Sequence, residues 1–421
     1  MKKNARTLVA MLLCTAMCAG LTACGGADAK KGDTSAAKDT GSSAQVSAGS
    51  SEAEAAGGDT IKFATLGPLT GTNADFGKHA YWGATIAANE INANGGILGK
   101  QVELVSYDDE NVAEKAAAAA ELVISDESIC AVASGHYTSS VALVGAPLYQ
   151  EAGIVCISNS ASHPDYSATG DYIFRNNLTE EDELHFAFQM PVIAEAKKVG
   201  IVSIMSDFGQ LVTEDFEKWA GEYGGKLGFE ISCVTYFTDG TVDFSPNISE
   251  LIDAGCDTVI FTAEYNNLAA FAQQYRKLNT DAKLIGLMTC YNGALIDLAG
   301  NAVEGMYLYS CLNPNSEDEI VQNFVAEYKE EYGAEPDFIA ANAYDSVYML
   351  KAAIEKCNST DRAAIKDALY EVSITGTQGE LKFDANGDVK KVAVAFRIED
   401  QKFVEIKDAF KLWDDFIGSL Q

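Results

Sequence analysis

The sequence predicts an α/β protein made of two similar lobes, each built on a parallel sheet. The chain has 421 residues, which is too long for one ordinary core. Apolar, β-branched runs alternate with helical patterns in two successive series, and strands that alternate with helices form parallel sheets with right-handed crossovers. Polar loops follow two neighbouring β-branched runs, as expected at the carboxyl edge of such a sheet. With 48% hydrophobic and 22% charged residues, the chain beyond its beginning is globular.

Residues 1–23 have the layout of an export signal. Three basic residues, Lys2, Lys3 and Arg6, precede an apolar run at 8–19 that is too short to span a bilayer. The following LTAC at 21–24 resembles a bacterial lipobox, and this implies a diacylated Cys24 at the mature N-terminus. We therefore expect a lipoprotein signal peptide and a membrane anchor.

Residues 24–58 read as a lipidated, disordered tether. They are mostly small or polar, and Val46 is their one large aliphatic residue. Such a segment cannot bury enough apolar surface to order itself.

The first series of elements runs from 61 to 175. The pattern predicts strands at 61–67, 101–107, 129–133, 153–157 and 172–175, with helices at 75–94 and 111–125 and a third that begins at one of the serines 139 and 140.

The second series starts with a helix at 181–194. The pattern then predicts strands at 199–205, 229–237, 258–262 and 283–288, interleaved with helices at 210–223, 245–254 and 267–278. Helices at 318–332, 339–356 and 361–370 follow, and then antiparallel strands at 379–383, 391–398 and 403–406. The DANGD at 384–388 resembles the start of a calcium loop, but Ala395 stands where that loop needs a glutamate, so we expect a hairpin turn.

Two polar loops form the candidate site. The first ends in YTSS at 137–140, and the second is SNSASHP at 158–164. A helix that begins at Ser139 or Ser140 presents unpaired N–H groups and a partial positive charge, which suit a carboxylate. Since neither loop carries a lysine, arginine or acid, dipoles must hold any anion bound there. Serine and asparagine after a strand can also act only as caps and turn formers.

The sequence lacks the signatures of catalysis. Its four histidines have no metal-ligand spacing, and GxSxG, GxxxxGK[ST] and GxGxxG are absent. We expect no enzyme activity, metal or cofactor. The formal charge of -31 repels nucleic acid, and the scattered cysteines read as small buried hydrophobes rather than a disulfide framework.

Several short motifs, in this order and spacing, resemble the leucine/isoleucine/valine-binding protein family, which comprises the type I periplasmic binding proteins of ABC importers. They are GPLTG at 67–71, INANGGILG at 91–99, YDD at 107–109, SASHP at 160–164, DFS at 243–245 and AYD at 343–345. The resemblance implies two Rossmann-like lobes, joined by a multi-strand hinge, that close over a ligand. Lobe 1 would comprise 59–179 and 313–373, and lobe 2 would comprise 180–312 and 374–421.

The resemblance also implies which residues bind ligand. Ser139, Ser160 and Ser162 would meet the carboxylate and amino ends, with Ala161 in the same loop and Tyr137 beside them. Aromatic contacts would come from Phe76 in lobe 1 and from Phe208 and Tyr265 in lobe 2.

One position departs from the family pattern. The acid that neutralises the ligand ammonium in amino-acid-binding members falls on Met288, and a methionine cannot compensate a buried charge. Either Glu264 or Asp207 substitutes, or the ligand has no ammonium group.

These expectations describe a monomeric, lipid-anchored receptor on the extracytoplasmic face of the cell membrane. It would bind a small carboxylate, in the first place a branched-chain or other amino acid, and deliver it to ABC permease subunits. The alternatives are a receptor that reports its ligand to a membrane signalling partner, and an importer receptor for an aromatic acid, a keto acid or an amide.

Overall fold

We describe the protein from a computed structural model, which describes residues 60–410 apart from Thr72 and Asn279. The predicted signal peptide, the Cys24 anchor and the tether at 24–58 lie outside the described residues, as do residues 411–421.

The first sheet has five parallel strands in the order β2-β1-β3-β4-β5. The strands are β1 (Ile61–Gly67), β2 (Val102–Asp108), β3 (Ile129–Ser134), β4 (Val155–Ser158) and β5 (Ile173–Arg175), and the helices between them are α1 (Ala74–Ala93), α2 (Ala113–Ser125) and α3 (Ser139–Ala152). The predicted elements of this series are confirmed within two residues at most ends. Helix α3 begins at Ser139, as the apolar spacing predicted.

The second sheet has seven strands in the order β14-β13-β10-β9-β8-β6-β7. The strands are β6 (Lys198–Ile204), β7 (Glu230–Phe237), β8 (Thr258–Thr262), β9 (Lys283–Gly286), β10 (Tyr307–Ser310), β13 (Val394–Glu399) and β14 (Lys402–Glu405). Its helices are α4 (Glu180–Ile193), α5 (Asp207–Trp219), α6 (Gly225–Leu227), α7 (Ser245–Asp253), α8 (Tyr265–Lys277) and α9 (Gly293–Ala299). Strands β6 to β10 pair in parallel, whereas β13 runs antiparallel to β10 and forms a hairpin with β14.

Three features of the second sheet differ from the sequence-based expectation. Strand β10 and helix α9 were not predicted, because a strand of four residues and a helix of seven are too short to show a period. The predicted strand 283–288 ends earlier, at Gly286, and Met288 lies in a 3₁₀ turn instead. A Cβ at Gly286 would lie 2.5 Å from Met306 Cε and 2.7 Å from Cys290 Cβ, so the chain turns here against close neighbours.

The last part of the chain returns along the first sheet before it joins the second. It forms helices α10 (Glu319–Tyr332), α11 (Phe338–Cys357) and α12 (Arg362–Leu369) and a small hairpin of β11 (Ile374–Gly376) and β12 (Gly379–Leu381). Helix α11 packs along α1 and β3. The DANGD segment makes the predicted turn, since Phe383 and Val389 pair antiparallel and Gly387 has φ 82°. The chain reaches the second sheet only at β13, and the exact limits of the lobes stay a prediction.

Within the part of the chain that the structure describes, no helix is both long enough and apolar enough to cross a membrane. The larger of two core clusters is continuous from the inner side of the first sheet, through α11, to both sides of the second sheet. It supports the facing carboxyl edges of the two sheets, where the loops of the candidate site lie.

Candidate functional site

A cavity of about 200 Å³ lies between loops of the two sheets. Residues from the first sheet's loops and from α11 form one wall: Asn73, Asn111, Tyr137, Thr138, Ser139, Ser140, Ser160, Ser162, Asn177 and Phe338. Residues from the second sheet's loops and helices form the other: Glu183, Ile204, Ser206, Asp207, Phe208, Asp239, Ala263, Glu264, Met288 and Thr289. Since ligand pockets for drug-sized molecules measure roughly 300 Å³ or more, this cavity fits a smaller solute.

Ser139 joins the two polar loops of the first wall. Its hydroxyl oxygen accepts hydrogen bonds from the backbone N–H groups of Ser162 at 3.3 Å and His163 at 3.4 Å. A serine hydroxyl can accept two hydrogen bonds and still donate its proton. Ser139 is therefore arranged to donate toward a ligand oxygen at the N-terminus of α3, where the helix dipole also favours negative charge.

Ser160 ties the loops together from the other side. Its hydroxyl donates to the Tyr137 carbonyl at 2.6 Å, and its own carbonyl accepts from the Asn177 side chain at 2.8 Å. Although Ser160 and Ser162 both line the cavity, the Ser160 hydroxyl is committed to the loop. Ser162 is consequently the better placed of the two to offer its hydroxyl to a ligand.

Ala161 does not line the cavity, contrary to expectation. Its N–H donates to Ser158 Oγ at 2.9 Å, and its carbonyl faces the Arg175 guanidinium at 3.5 Å. The methyl group packs in the smaller core cluster on the far side of the first sheet. A direct contact of Ala161 with ligand stays a prediction.

Arg175 holds the second loop from behind, a role that the sequence analysis missed. Its side chain is 1% exposed, its Nε donates to Asp388 Oδ1 at 2.8 Å, and its Nη1 donates to the carbonyls of Ser162 and His163. These bonds fix the backbone that carries Ser162. The signal in the sequence was a lone arginine at the end of an apolar strand, which needs a buried partner.

The predicted aromatic residues separate into two groups. Tyr137 and Phe208 line the cavity, whereas Phe76 and Tyr265 do not. Phe76 stacks on Tyr137 with ring centroids 4.8 Å apart, and Tyr265 meets Phe76 edge-on at 5.6 Å. Phe76 and Tyr265 thus support the Tyr137 ring from behind, and a direct contact of either with ligand stays a prediction.

Met288 lies in the second wall and is buried to 1% exposure; that it occupies the position of the family's acid stays a prediction from the resemblance. Of the two predicted substitutes, Asp207 is exposed at the start of α5, whereas Glu264 is partly buried at the N-cap of α8. Burial raises the pKa of the Glu264 carboxyl. Between these two, Glu264 is the acid shielded from solvent at the cavity.

A further buried acid, Glu183, lines the same wall. It is 3% exposed, and its Oε1 accepts a hydrogen bond from the Tyr309 hydroxyl at 3.3 Å. Burial raises the pKa of the Glu183 carboxyl to about 7, although the hydrogen bond from Tyr309 lowers this pKa. The sequence analysis missed this residue because acids in the first turn of a helix normally face solvent and are stabilised there by the helix dipole.

The two walls differ in charge. The first wall offers hydroxyls, amides and a helix N-terminus, while the second carries four carboxyl groups, those of Glu183, Asp207, Asp239 and Glu264. Within residues 60–410, apart from the two undescribed positions, no lysine, arginine or histidine lines this cavity. The arrangement suits a small molecule with an anionic end toward the first wall and a cationic end toward the second.

Comparisons with known proteins agree with this architecture. The family model described as periplasmic binding protein matches residues 60–401. The leucine-, isoleucine-, valine-, threonine- and alanine-binding protein of Pseudomonas aeruginosa is 28% identical over 336 residues, which cover 79% of this chain and 88% of that protein. The structure is similar to a leucine-binding protein of Thermotoga maritima, with 26% identity, a TM-score of 0.74 and coverage of 82% of this chain and 98% of that one. It is also similar to an ABC transporter substrate-binding protein of Desulfitobacterium hafniense in complex with leucine, with 25% identity, a TM-score of 0.69 and coverage of 82% and 100%.

Proposed function

The chain belongs to the periplasmic binding protein family, as its resemblance to the leucine/isoleucine/valine-binding members predicted, and from this premise we propose that it is the receptor of an ABC importer for an amino acid. The α-carboxylate lies against Ser139, Ser162 and the N-terminus of α3. The ammonium group faces the second wall, where Glu264 takes the place of the acid missing at Met288.

The division of charge between the walls carries this proposal. A monocarboxylate such as an aromatic or keto acid would satisfy the first wall but would leave the partly buried carboxyl of Glu264 without a partner. An unpaired buried carboxyl costs kilocalories, whereas an ammonium that meets it forms a charge-assisted hydrogen bond. A zwitterion matches both walls at once.

The position of Glu264 fits the ammonium of an α-amino acid. Carboxylate and ammonium are attached to the same carbon, so the partner of the ammonium must lie close to the serine loops. Burial is the largest cause that raises the pKa of the Tyr137 phenol, and the charge of Glu264 is the next. Tyr137 directly precedes Thr138 and Ser139, where α3 begins, so the charge of Glu264 acts close to the serine loops.

The remaining parts of the proposal concern delivery. The relatives' names describe amino-acid-binding proteins and an ABC transporter substrate-binding protein, which supports transfer of the ligand to a permease in the membrane. Together with the predicted export signal and lipobox, this points to an extracytoplasmic, lipid-anchored monomer. The long predicted tether would let the lobes reach the permease from the anchor.

A ligand screen tests the proposal. We expect one or more of the twenty common amino acids to raise the melting temperature of the purified protein, since ligand at a hundredfold its Kd adds about 2.7 kcal/mol to the free energy of unfolding. Ser139→Ala should weaken binding about 10- to 100-fold, because a hydrogen bond to a charged group contributes about 1.5–3 kcal/mol.

Ser125→Ala is the matched control. Ser125 is exposed at the end of α2, and its hydroxyl bonds only to the helix carbonyl of Glu121 among the bonds described, so its removal should leave affinity unchanged. Binding of keto, aromatic or amide ligands with silence from every amino acid would contradict the proposed ligand class.

A further inference from the structure

Two carboxyl groups from different elements line one small cavity, that of Glu183 buried and that of Glu264 partly buried. Glu264 belongs to the N-cap of α8, and Glu183 to the first turn of α4. An α-amino acid with an aliphatic side chain has a single ammonium, which can satisfy only one of them. The second, that of Glu183, keeps the Tyr309 hydroxyl as the partner of Oε1, and its other oxygen can accept a donor from the ligand.

Glu183 lies deeper in the second lobe than Glu264. Glu183 is 3% exposed, and its described partner is the Tyr309 hydroxyl of β10, an inner strand of the second sheet. Glu264 is only partly buried and follows β8 at the N-cap of α8. With the ligand carboxylate at the serines and the ammonium at Glu264, the group that reaches Glu183 is the ligand's side chain.

The environment of Glu183 gives it an unused hydrogen-bonding capacity. The Tyr309 bond engages Oε1, and a carboxyl group has two oxygens with about four acceptor sites. The charge of Glu180, in the same helix turn, also raises the pKa of Glu183 and so does not compensate its negative charge. A donor from the ligand would therefore be favoured at this point.

We infer that Glu183 recognises a hydrogen-bond donor on the ligand's side chain, so that the protein selects amino acids with a hydroxyl, amide or amino side chain over branched aliphatic ones. This inference rests on the proposed function and narrows its ligand class. The name of the Pseudomonas aeruginosa relative includes threonine and alanine beside the branched-chain amino acids; the inference here is a preference for side chains with a donor, and the assignment of that preference to Glu183 on α4.

Matched pairs of ligands of nearly equal shape provide the test. We expect threonine to bind at least tenfold more tightly than valine, or asparagine at least tenfold more tightly than leucine, in calorimetric titrations of the purified protein. A site built to bond a donor rejects the analogue that lacks it far more strongly than an apolar site rejects an added hydroxyl.

Three variants assign the preference to Glu183. Glu183→Leu, combined with Tyr309→Phe so that the phenol is not left without its acceptor, should abolish or reverse the preference. Glu183→Gln keeps an acceptor oxygen at nearly the same volume and should retain part of it. Glu250→Gln changes an exposed acid of α7 that is not among the cavity-lining residues and should leave the ratio within each pair unchanged.

The outcomes separate this inference from the proposed function. Valine and leucine binding as tightly as threonine and asparagine would overturn the inference and leave the amino-acid receptor intact. A donor preference that survives Glu183→Leu with Tyr309→Phe would overturn the role of Glu183. Silence of every amino acid would instead be the failure of the proposed function.

Discussion

The Tyr265 hydroxyl donates a hydrogen bond to Asp75 Oδ2 at 2.8 Å, between residues 190 positions apart in the chain. Tyr265 is the first residue of α8 beside the second sheet, and Asp75 lies in the first turn of α1 beside the first. The bond therefore connects the two sides of the cavity directly. Together with the stacked rings of Phe76 and Tyr137, it closes the cavity at this side.

Removal of this bond should weaken ligand binding through faster release. Tyr265→Phe deletes the hydroxyl and keeps the ring contact with Phe76. Because Asp75 is exposed, we expect the bond to contribute about 1 kcal/mol, and the affinity to fall about fivefold. Stopped-flow fluorescence should place most of this change in the dissociation rate.

A double-mutant cycle is the control for this prediction. Asp75→Ala alone should weaken binding to a similar extent, and adding it to Tyr265→Phe should have little further effect, because both changes remove one bond. Additive losses from the two changes would show that the bond does not hold the lobes together.

The buried pair of Arg175 and Asp388 should matter for stability as well as binding. Arg175→Met leaves the Asp388 carboxylate without its partner and releases the carbonyls of Ser162 and His163. Breaking a buried pair by removing one member costs about 3–5 kcal/mol, so we expect a large drop in the unfolding midpoint in urea. Ligand affinity measured at low temperature should fall too, since the loop that carries Ser162 loses its support.

A surface pair gives the comparison. Lys351 and Glu355 form an i,i+4 ion pair on α11 with side chains 27% and 41% exposed, and such pairs contribute about 0.3–0.5 kcal/mol. Lys351→Met should therefore change the midpoint little. Equal effects of Lys351→Met and Arg175→Met would contradict the role assigned to the buried pair.

The sequence predicted the parts of the site that depend on local pattern. The serines 139 and 162 follow strands with a clear apolar pattern, and parallel strands bring their carboxyl ends to one edge, so their meeting could be foreseen. The spacing of apolar residues predicted that a helix begins at Ser139 or Ser140, and α3 begins at Ser139. Met288 was predicted as a site residue and lines the cavity, whereas its match to the family's acid stays a prediction.

The parts that depend on contacts between distant segments could not be predicted in this way. Arg175 and Asp388 are 213 positions apart, and Glu183 meets Tyr309 across 126 positions. Glu183 stands in an acidic run that satisfies the helix dipole equally well when it faces solvent. Only the packing of α4 against β10, a strand too short to be predicted, turns this acid inward.

The predicted anchor can be tested in cells. Cys24→Ser removes the thiol that the lipobox resemblance marks for acylation, and we expect the protein to move from the membrane fraction to the soluble fraction after cell fractionation. Stable attachment takes more than one acyl chain, so loss of the diacyl group should release nearly all of it. Cys18→Ser, within the predicted signal, is the control, and this variant should stay on the membrane. A Cys24→Ser protein that also stays on the membrane would contradict the prediction and show that another element anchors the chain.

The ligand-free protein should lose stability as the pH rises from about 5 to 8. The pKa of Glu183 is raised from 4.5 in the unfolded chain to about 7 in the folded protein, and the pKa of Glu180 is also raised to about 7. Burial is the largest cause of both shifts. Between these pH values the native state binds more protons than the unfolded state. The free energy of unfolding therefore falls as pH rises through about 7.

Glu183→Gln should remove the contribution of Glu183. We expect the variant to be more stable than the parent protein at pH 8 by about 1–3 kcal/mol and to differ little from it at pH 4.5. Its free energy of unfolding should still fall with rising pH, but less steeply than that of the parent, because Glu180 remains. Urea unfolding followed by circular dichroism at several pH values measures this. Glu250→Gln, at an exposed position of α7, is the control for charge removal in general. A Glu183→Gln curve parallel to the parent curve would mean that the Glu183 carboxyl is not buried in the folded protein, because burial is what makes its proton affinity differ between the two states.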